Sequence, residues 1–224
     1  MKIKGLSRQS KKNKLNVFSF LTFYLALMVS GCASFDAGSN VQRGRYALMR
    51  GDAKLAVSLF QRATEIDSNY TTYLGPMKEG VWTYLGRAHY DSGDYKSALK
   101  ALERARVSHP EDSFAPLYLG LTLAKDGDRQ RGVQELHAGL TGLNKWLNYI
   151  DQYGADSVYW DPGDFISSRI EQDLARIDSK EFNWNDVIAS AERVGMDLEN
   201  EPDEVRREKR RERRDSAKSD GKGD

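Results

Sequence analysis

Apolar side chains recur along the middle of this chain with helical spacing. In AKLAVSLFQRATEI, residues 53–66, Leu55, Ala56, Leu59, Phe60 and Ala63 stand at i, i+1, i+4, i+5 and i+8, one face of a helix. Asp52 precedes it as an N-cap residue, able to accept one of the unpaired backbone N–H groups. Residues 82–110, WTYLGRAHYDSGDYKSALKALERARVSHP, read as two short helices around a turn. Gly93 suits the positive φ that ends the first, and Pro110 stops the second. Gly86 and Ala98 are small where two helices would cross closely, and Trp82, Leu85 and Leu102 fill the space that remains. Between 71 and 78, TTYLGPMK, the pair Gly75-Pro76 breaks any helix and predicts a loop or a longer lead-in. WLNYIDQY, 146–153, continues a helix, and Trp160-Asp161-Pro162-Gly163 is a turn. After it Ile166, Ile170, Leu174 and Ile177 follow at spacings of four, four and three. Asn183 or Asn185 caps a last helix with Trp184, Val187, Ile188, Ala191 and Val194 on one side.

The pattern of 82–110 has neighbours. Downstream, Pro116, Leu119, Gly120, Gly127, Gly132, Leu136 and Gly139 occupy equivalent positions at an offset of 34. Gly132 and Gly139 replace the alanines and weaken that helix by about 1 kcal/mol each. Upstream, Gly44, Gly51, Ala56, Phe60 and Ala63 match the second half of the unit, at an offset of 42 between Ala56 and Ala98. Asn40 and Arg43 hold the Trp and Leu positions there, so the first helix of that unit is degenerate. Trp82, Leu85 and Gly86 form W-x2-L-G, with Ala98, Leu102, Ala105 and Pro110 following, and this resembles the tetratricopeptide (TPR) repeat. One such unit cannot bury its own apolar face, which is why neighbours are required. The expected fold is all-α: a TPR-like α-solenoid of about three helix-turn-helix repeats, residues 40–145, with C-terminal capping helices, residues 146–198, on its exposed end. From 199 to 224 the chain is almost entirely charged, nine acidic and nine basic residues, and we expect a disordered tail there.

The N-terminus has a different composition. Lys2, Lys4, Arg8, Lys11, Lys12 and Lys14 precede an apolar run, LNVFSFLTFYLALM, which ends in Val29-Ser30-Gly31-Cys32. Basic, apolar and small residues in that order make a secretory signal. V-S-G-C resembles the lipobox of bacterial lipoproteins. That resemblance implies cleavage after Gly31, so that 1–31 is the signal peptide, and a diacylglyceryl group on Cys32. Several acyl chains anchor far more firmly than one. The run is short for a spanning helix, which needs about 20 residues. Ala33 stands where an inner-membrane retention aspartate would, and by resemblance to enteric lipoproteins this favours the outer membrane, facing the periplasm. Residues 32–39 would form the lipidated N-terminus and a short tether.

Formal net charge is +1, but removing the six basic residues of 1–31 leaves 28 basic against 33 acidic, a net of −5. That sign argues against nucleic acid as a partner. A single cysteine rules out an internal disulfide. His89, His109 and His137 lack metal-ligand spacing, and no P-loop or G-x-S-x-G is present, so we expect no cofactor, no metal and no catalytic residues. DSGDY at 91–95 and AKDGD at 124–128 lack the ligand spacing of a calcium loop and read as inter-helix turns.

TPR stacks usually bind protein through the concave face, lined by the first helix of each repeat. The repeat positions put Arg45, Arg87, Tyr90 and Lys125 on or near that face, and Tyr159 and Trp160 on a second candidate partner-binding edge. The function implied is a lipid-anchored adaptor, tethered through Cys32, that binds protein partners at the periplasmic face of the outer membrane. Resemblance to TPR lipoproteins suggests envelope assembly, secretion or cell-wall machinery. The alternative is an envelope-polymer hydrolase, or its regulator, built on the C-terminal helices around Asp161 and Glu171. The basic run 206–214 reads as solvated, with contact to anionic lipid or cell-wall polymers as the other reading.

Overall fold

The computed structural model describes residues 35–74, 77–154 and 156–220. The expected signal peptide, Cys32 and the start of the expected tether lie outside the described residues. Eight helices are seen among them: α1 (35–49), α2 (Ala53–Ile66), α3 (Val81–Asp91), α4 (Tyr95–Ser108), α5 (Phe114–Asp126), α6 (Arg129–Tyr153), α7 (Phe165–Ser179) and α8 (Trp184–Asp220). They pair as α1/α2, α3/α4 and α5/α6, and each pair packs against the next. The three-repeat, all-α TPR-like architecture is present.

Capping chemistry starts the second helix of every pair the same way. Asp52, Asp94 and Asp128 each accept a hydrogen bond from the backbone N–H three residues on, at 3.1, 3.1 and 3.2 Å. Within each pair a glycine lets the helices close. A Cβ on Gly44 would stand 2.6 Å from the Phe60 ring, and one on Gly120 would stand 2.5 Å from the Leu136 backbone nitrogen. Between pairs, Phe60 stacks on Tyr84 with centroids 5.2 Å apart.

Three expectations change. The first helix of the first pair is formed despite its sequence, because Val41, Gly44 and Ala47 fall on one buried face against α2. That helix begins at residue 35, with Ala37 fully buried, so the later part of the expected tether belongs to the fold. The lead-in at 71–80 is an antiparallel ribbon, β1 (Thr71–Leu74) paired with β2 (Met77–Gly80), in register from Thr71↔Gly80 to Leu74↔Met77. Asp112 fastens it to the third pair. Its carboxylate accepts from Gly80 N at 2.9 Å, Thr83 Oγ1 at 2.6 Å and Phe114 N at 3.0 Å.

The C-terminal part departs most from expectation. α7 buries Ile166, Ile170 and Ile177 and covers α6. α8 packs on α7 but also crosses to α5, so it does more than cap the end. Its buried face runs Val187, Ala191, Val194, Leu198, then continues through Glu201 to Val205. The expected disordered tail therefore does not start at 199. The apolar period carries the helix on, and it extends past Pro202 to Asp220.

Candidate functional site

The first helices of the three pairs bring Arg45, Arg87, Tyr90 and Lys125 to one side of the molecule, with Tyr118 beside them. α8 lies across that side. Glu192, Met196 and Glu199 recur on it at i, i+4 and i+7, one helical face, and that face is turned to the repeats.

Glu199 meets two arginines. Arg45 Nε donates to its Oε1 at 2.6 Å and Arg87 Nη1 to its Oε2 at 2.7 Å. The same Arg87 nitrogen donates to Glu79 Oε1 at 2.7 Å. All four side chains are buried, none more than 5% exposed. The Arg87 guanidinium also lies among the rings of Tyr118, Phe114 and Tyr84, its carbon 4.9, 5.1 and 5.3 Å from their centroids. Seven residues nearer the α8 start, Tyr90 Oη donates to Glu192 and Lys125 Nζ pairs with it at 3.4 Å.

Burial governs the titration of this cluster. It pushes Glu79 up to about 8, against the opposing attraction of Arg87. The second oxygen of Glu79 has no hydrogen-bond partner among the described residues, which removes one source of support for its charge. Burial also raises Tyr118, to about 12, and Tyr90, where the bond to Glu192 adds to it.

Arg45 and Arg87 are thus not a surface for a partner. Two buried acidic side chains, Glu79 and Glu199, accept their hydrogen bonds, and α8 supplies one of the two. What stays open is a cavity of about 420 Å³ between α8 and the repeats. Met49, Met196 and Lys125 stand at its mouth, and Tyr90, Tyr95 and Tyr118 form a wall with neighbouring centroids 5.7 and 5.9 Å apart. Tyr90 and Lys125 keep access to this remnant.

The second candidate edge is structural in one of its two residues. Trp160 is buried, with its ring 5.2 Å from that of Trp146 in an edge-on arrangement, and Ile150 and Val205 close the cluster. Tyr159 ends a short 3-10 turn, Ser157–Tyr159, and donates to Glu212 of α8. Asp161 caps α7: its two carboxylate oxygens accept from Ile166 N and Ser167 N, each at 2.8 Å. With both oxygens held in a cap, Asp161 is not free for acid–base work. The three histidines stand apart, each with its own carboxylate: His89 with Asp94 at 3.5 Å, His109 with Glu111 at 3.8 Å and His137 with Asp178 at 3.3 Å.

Sequence reasoning missed Glu79, Glu192 and Glu199. A signal for the last two existed. Leu198 and Val205 continue the apolar period of 187–194, and a helix drawn through them puts Glu192 and Glu199 side by side.

Residues 85–136, from α3 into α6, match the family model of the tetratricopeptide repeat. The fold is tetratricopeptide-like. Superkiller protein 3 of Schizosaccharomyces pombe is 36% identical over 75 residues, 33% of this chain. Those residues span 5% of that protein's length, so the likeness is one of repeats. Tetratricopeptide repeats generally mediate protein–protein contact and are generally non-catalytic, and the match suggests a protein–protein interaction scaffold for the repeat region.

Proposed function

We propose that this chain is a lipid-anchored adaptor that holds protein partners at the periplasmic face of the outer membrane, within envelope assembly, secretion or cell-wall machinery. The observation that carries the adaptor reading is the match of 85–136 to the tetratricopeptide model, over helices that pair as such repeats do. The anchor rests on the V-S-G-C sequence that ends the apolar N-terminal run.

Because α8 fills most of the concave side, partner contact is assigned to what it leaves open. Met49 and Met196 are 41% and 55% exposed at the mouth of the remaining cavity, with Lys125 beside them. Exposed methionines beside tyrosine rings make an adaptable contact for a partner's apolar side chain.

Crosslinking in intact cells, followed by capture through the chain, tests the adaptor reading. Met49→Asp with Met196→Asp should lose the crosslinked partners while keeping the fold, since both side chains are exposed. An unchanged partner set removes the mouth from consideration. Palmitate labelling tests the anchor separately: label that persists in Cys32→Ser rejects it.

A further inference from the structure

The last five turns of α8 carry an arrangement that the adaptor reading does not use. Arg207, Arg210, Arg213, Arg214 and Lys218 are all exposed, and none has an ion-pair partner among the described residues. At 3.6 residues per turn they fall on one arc of about 140° of the helix. Glu204, Glu208, Glu212 and Asp215 lie elsewhere on the wheel, and Asp203, which falls within the arc, pairs with Arg206. Glu208 pairs with Arg211 at 2.9 Å, and Glu212 accepts from Tyr159. On the body side, Lys209 Nζ reaches Asp156 Oδ1 at 2.6 Å, and Val205 is buried. So the helix is held along one side and presents cations on the other.

The arc has an aromatic border. Tyr149 and Tyr153, 59% and 70% exposed, lie 5.3 Å apart at the end of α6. They share a cleft of about 400 Å³ with Arg206 and Lys209. Arg206 falls between Arg213 and Arg210 on the wheel, so the tyrosines flank the cationic arc.

We propose that this face docks on an anionic phospholipid surface. Five cations with no ion-pair partner among the described residues, set along one side of a helix, suit a plane of negative headgroups, each contributing about fivefold in affinity. Exposed tyrosines beside them suit the headgroup level, where a ring with a polar tip is favoured. Cations along one side of a single helix do not enclose a strand, and two tyrosines in contact with each other leave no slot for a base between them. The proposal goes beyond the lipid anchor and does not require it, although an acyl chain on Cys32 would place the same body beside a bilayer.

The test uses residues 33–224, which contain every described element and its core but not Cys32, so lipidation does not enter the result. Co-sedimentation is measured with phosphatidylcholine vesicles and with vesicles of about 30% phosphatidylglycerol, at about 0.1 M and about 0.5 M salt. Binding to the anionic vesicles alone, released by the higher salt, is expected. The triple variant Arg207→Gln, Arg210→Gln, Arg214→Gln should weaken it about 100-fold. Tyr149→Ser with Tyr153→Ser should weaken it several-fold with the salt dependence kept. Circular dichroism should be unchanged in both variants, because all five side chains are exposed. Equal sedimentation with both vesicle types, or none with either, overturns the proposal. Tighter binding to a short DNA duplex than to the vesicles overturns it too, and assigns the arc to a polyanion. Palmitate labelling that persists in Cys32→Ser would reject the anchor and leave this result untouched.

Discussion

Arg87 on α3 and Glu199 on α8 meet at 2.7 Å, 112 positions apart in the chain. The contact ties the central repeat to the C-terminal helix through two side chains that are no more than 5% exposed. Its consequence is that α8 is a fixed wall of the repeat domain. Glu199→Ala should therefore be severe. It strips one carboxylate from two buried guanidiniums, a change that costs about 3–5 kcal/mol when a buried pair is broken. Urea denaturation measures it. A loss below about 1 kcal/mol, the range of exposed pairs, would mean that α8 is not seated there.

Glu79 makes stability depend on pH. Its carboxyl is raised from an ordinary 4.5 to about 8 in the folded protein. Between those values the folded state binds a proton that the unfolded state has released. Stability from this group is therefore fully present below 4.5 and is lost as pH rises through about 8. Glu79→Gln keeps an acceptor for Arg87 and removes the titration. Denaturation midpoints across that window should fall with pH in the natural chain and fall less steeply in the variant. Parallel slopes would show that Glu79 stays charged.

Gly132 and Gly139 of α6 should respond differently to alanine. A Cβ at Gly139 would stand 2.6 Å from the Leu117 backbone Cα, which cannot move without shifting α5. Gly139→Ala should cost about 1–3 kcal/mol as an overpacked site. At Gly132 the nearest atoms are at 3.2 Å, so a few tenths of an ångström of relaxation accommodates the methyl. There the gain in helix propensity, about 1 kcal/mol, offsets the crowding, and the variant should be close to neutral. Thermal melts of the two variants side by side decide it, and equal shifts would refute the distinction.

Truncation separates the two parts of α8. A chain ending after Leu198 loses Glu199, Glu201 and Val205, all buried, and uncovers Arg45 and Arg87. It should be strongly destabilised or fail to fold. A chain ending after Val205 loses mostly exposed contacts, such as Lys209 to Asp156 and Glu212 to Tyr159, each worth up to about 1 kcal/mol. It should melt within a few degrees of the natural chain. Limited proteolysis and melting of the two shortened chains read this directly.

How far the fold was legible depends on where the apolar pattern was local. Within 53–66 and 82–139 the periods, caps and glycines all agree, and the helices form where they predict. At 71–80 the pattern failed, since Gly75-Pro76 forbids a helix but does not by itself specify a ribbon. Pairing of β1 with β2 and the hold of Asp112 on Gly80 and Thr83 settle that segment. At 199–205 the density of charge hid a continuing apolar face of Leu198 and Val205. Charged residues read as solvated unless a partner is known, and the partners Arg45 and Arg87 are more than a hundred positions away.

The candidate site divides the same way. Repeat positions alone bring Arg45, Arg87, Tyr90 and Lys125 to one face, because the spacing of a repeat sets which side each helix presents. Whether that face is open is not a property of the repeats. It depends on where α8 lies, and that is decided by Val187, Ala191, Val194 and Leu198 finding an apolar surface on other helices. The sequence by itself determined the helical units, their order and the small residues that let them close, all of which act over a few turns. Only the tertiary structure decided that the cationic groove is filled from within, because ion pairs such as Arg87–Glu199 join segments whose distance in sequence carries no information about their distance in space.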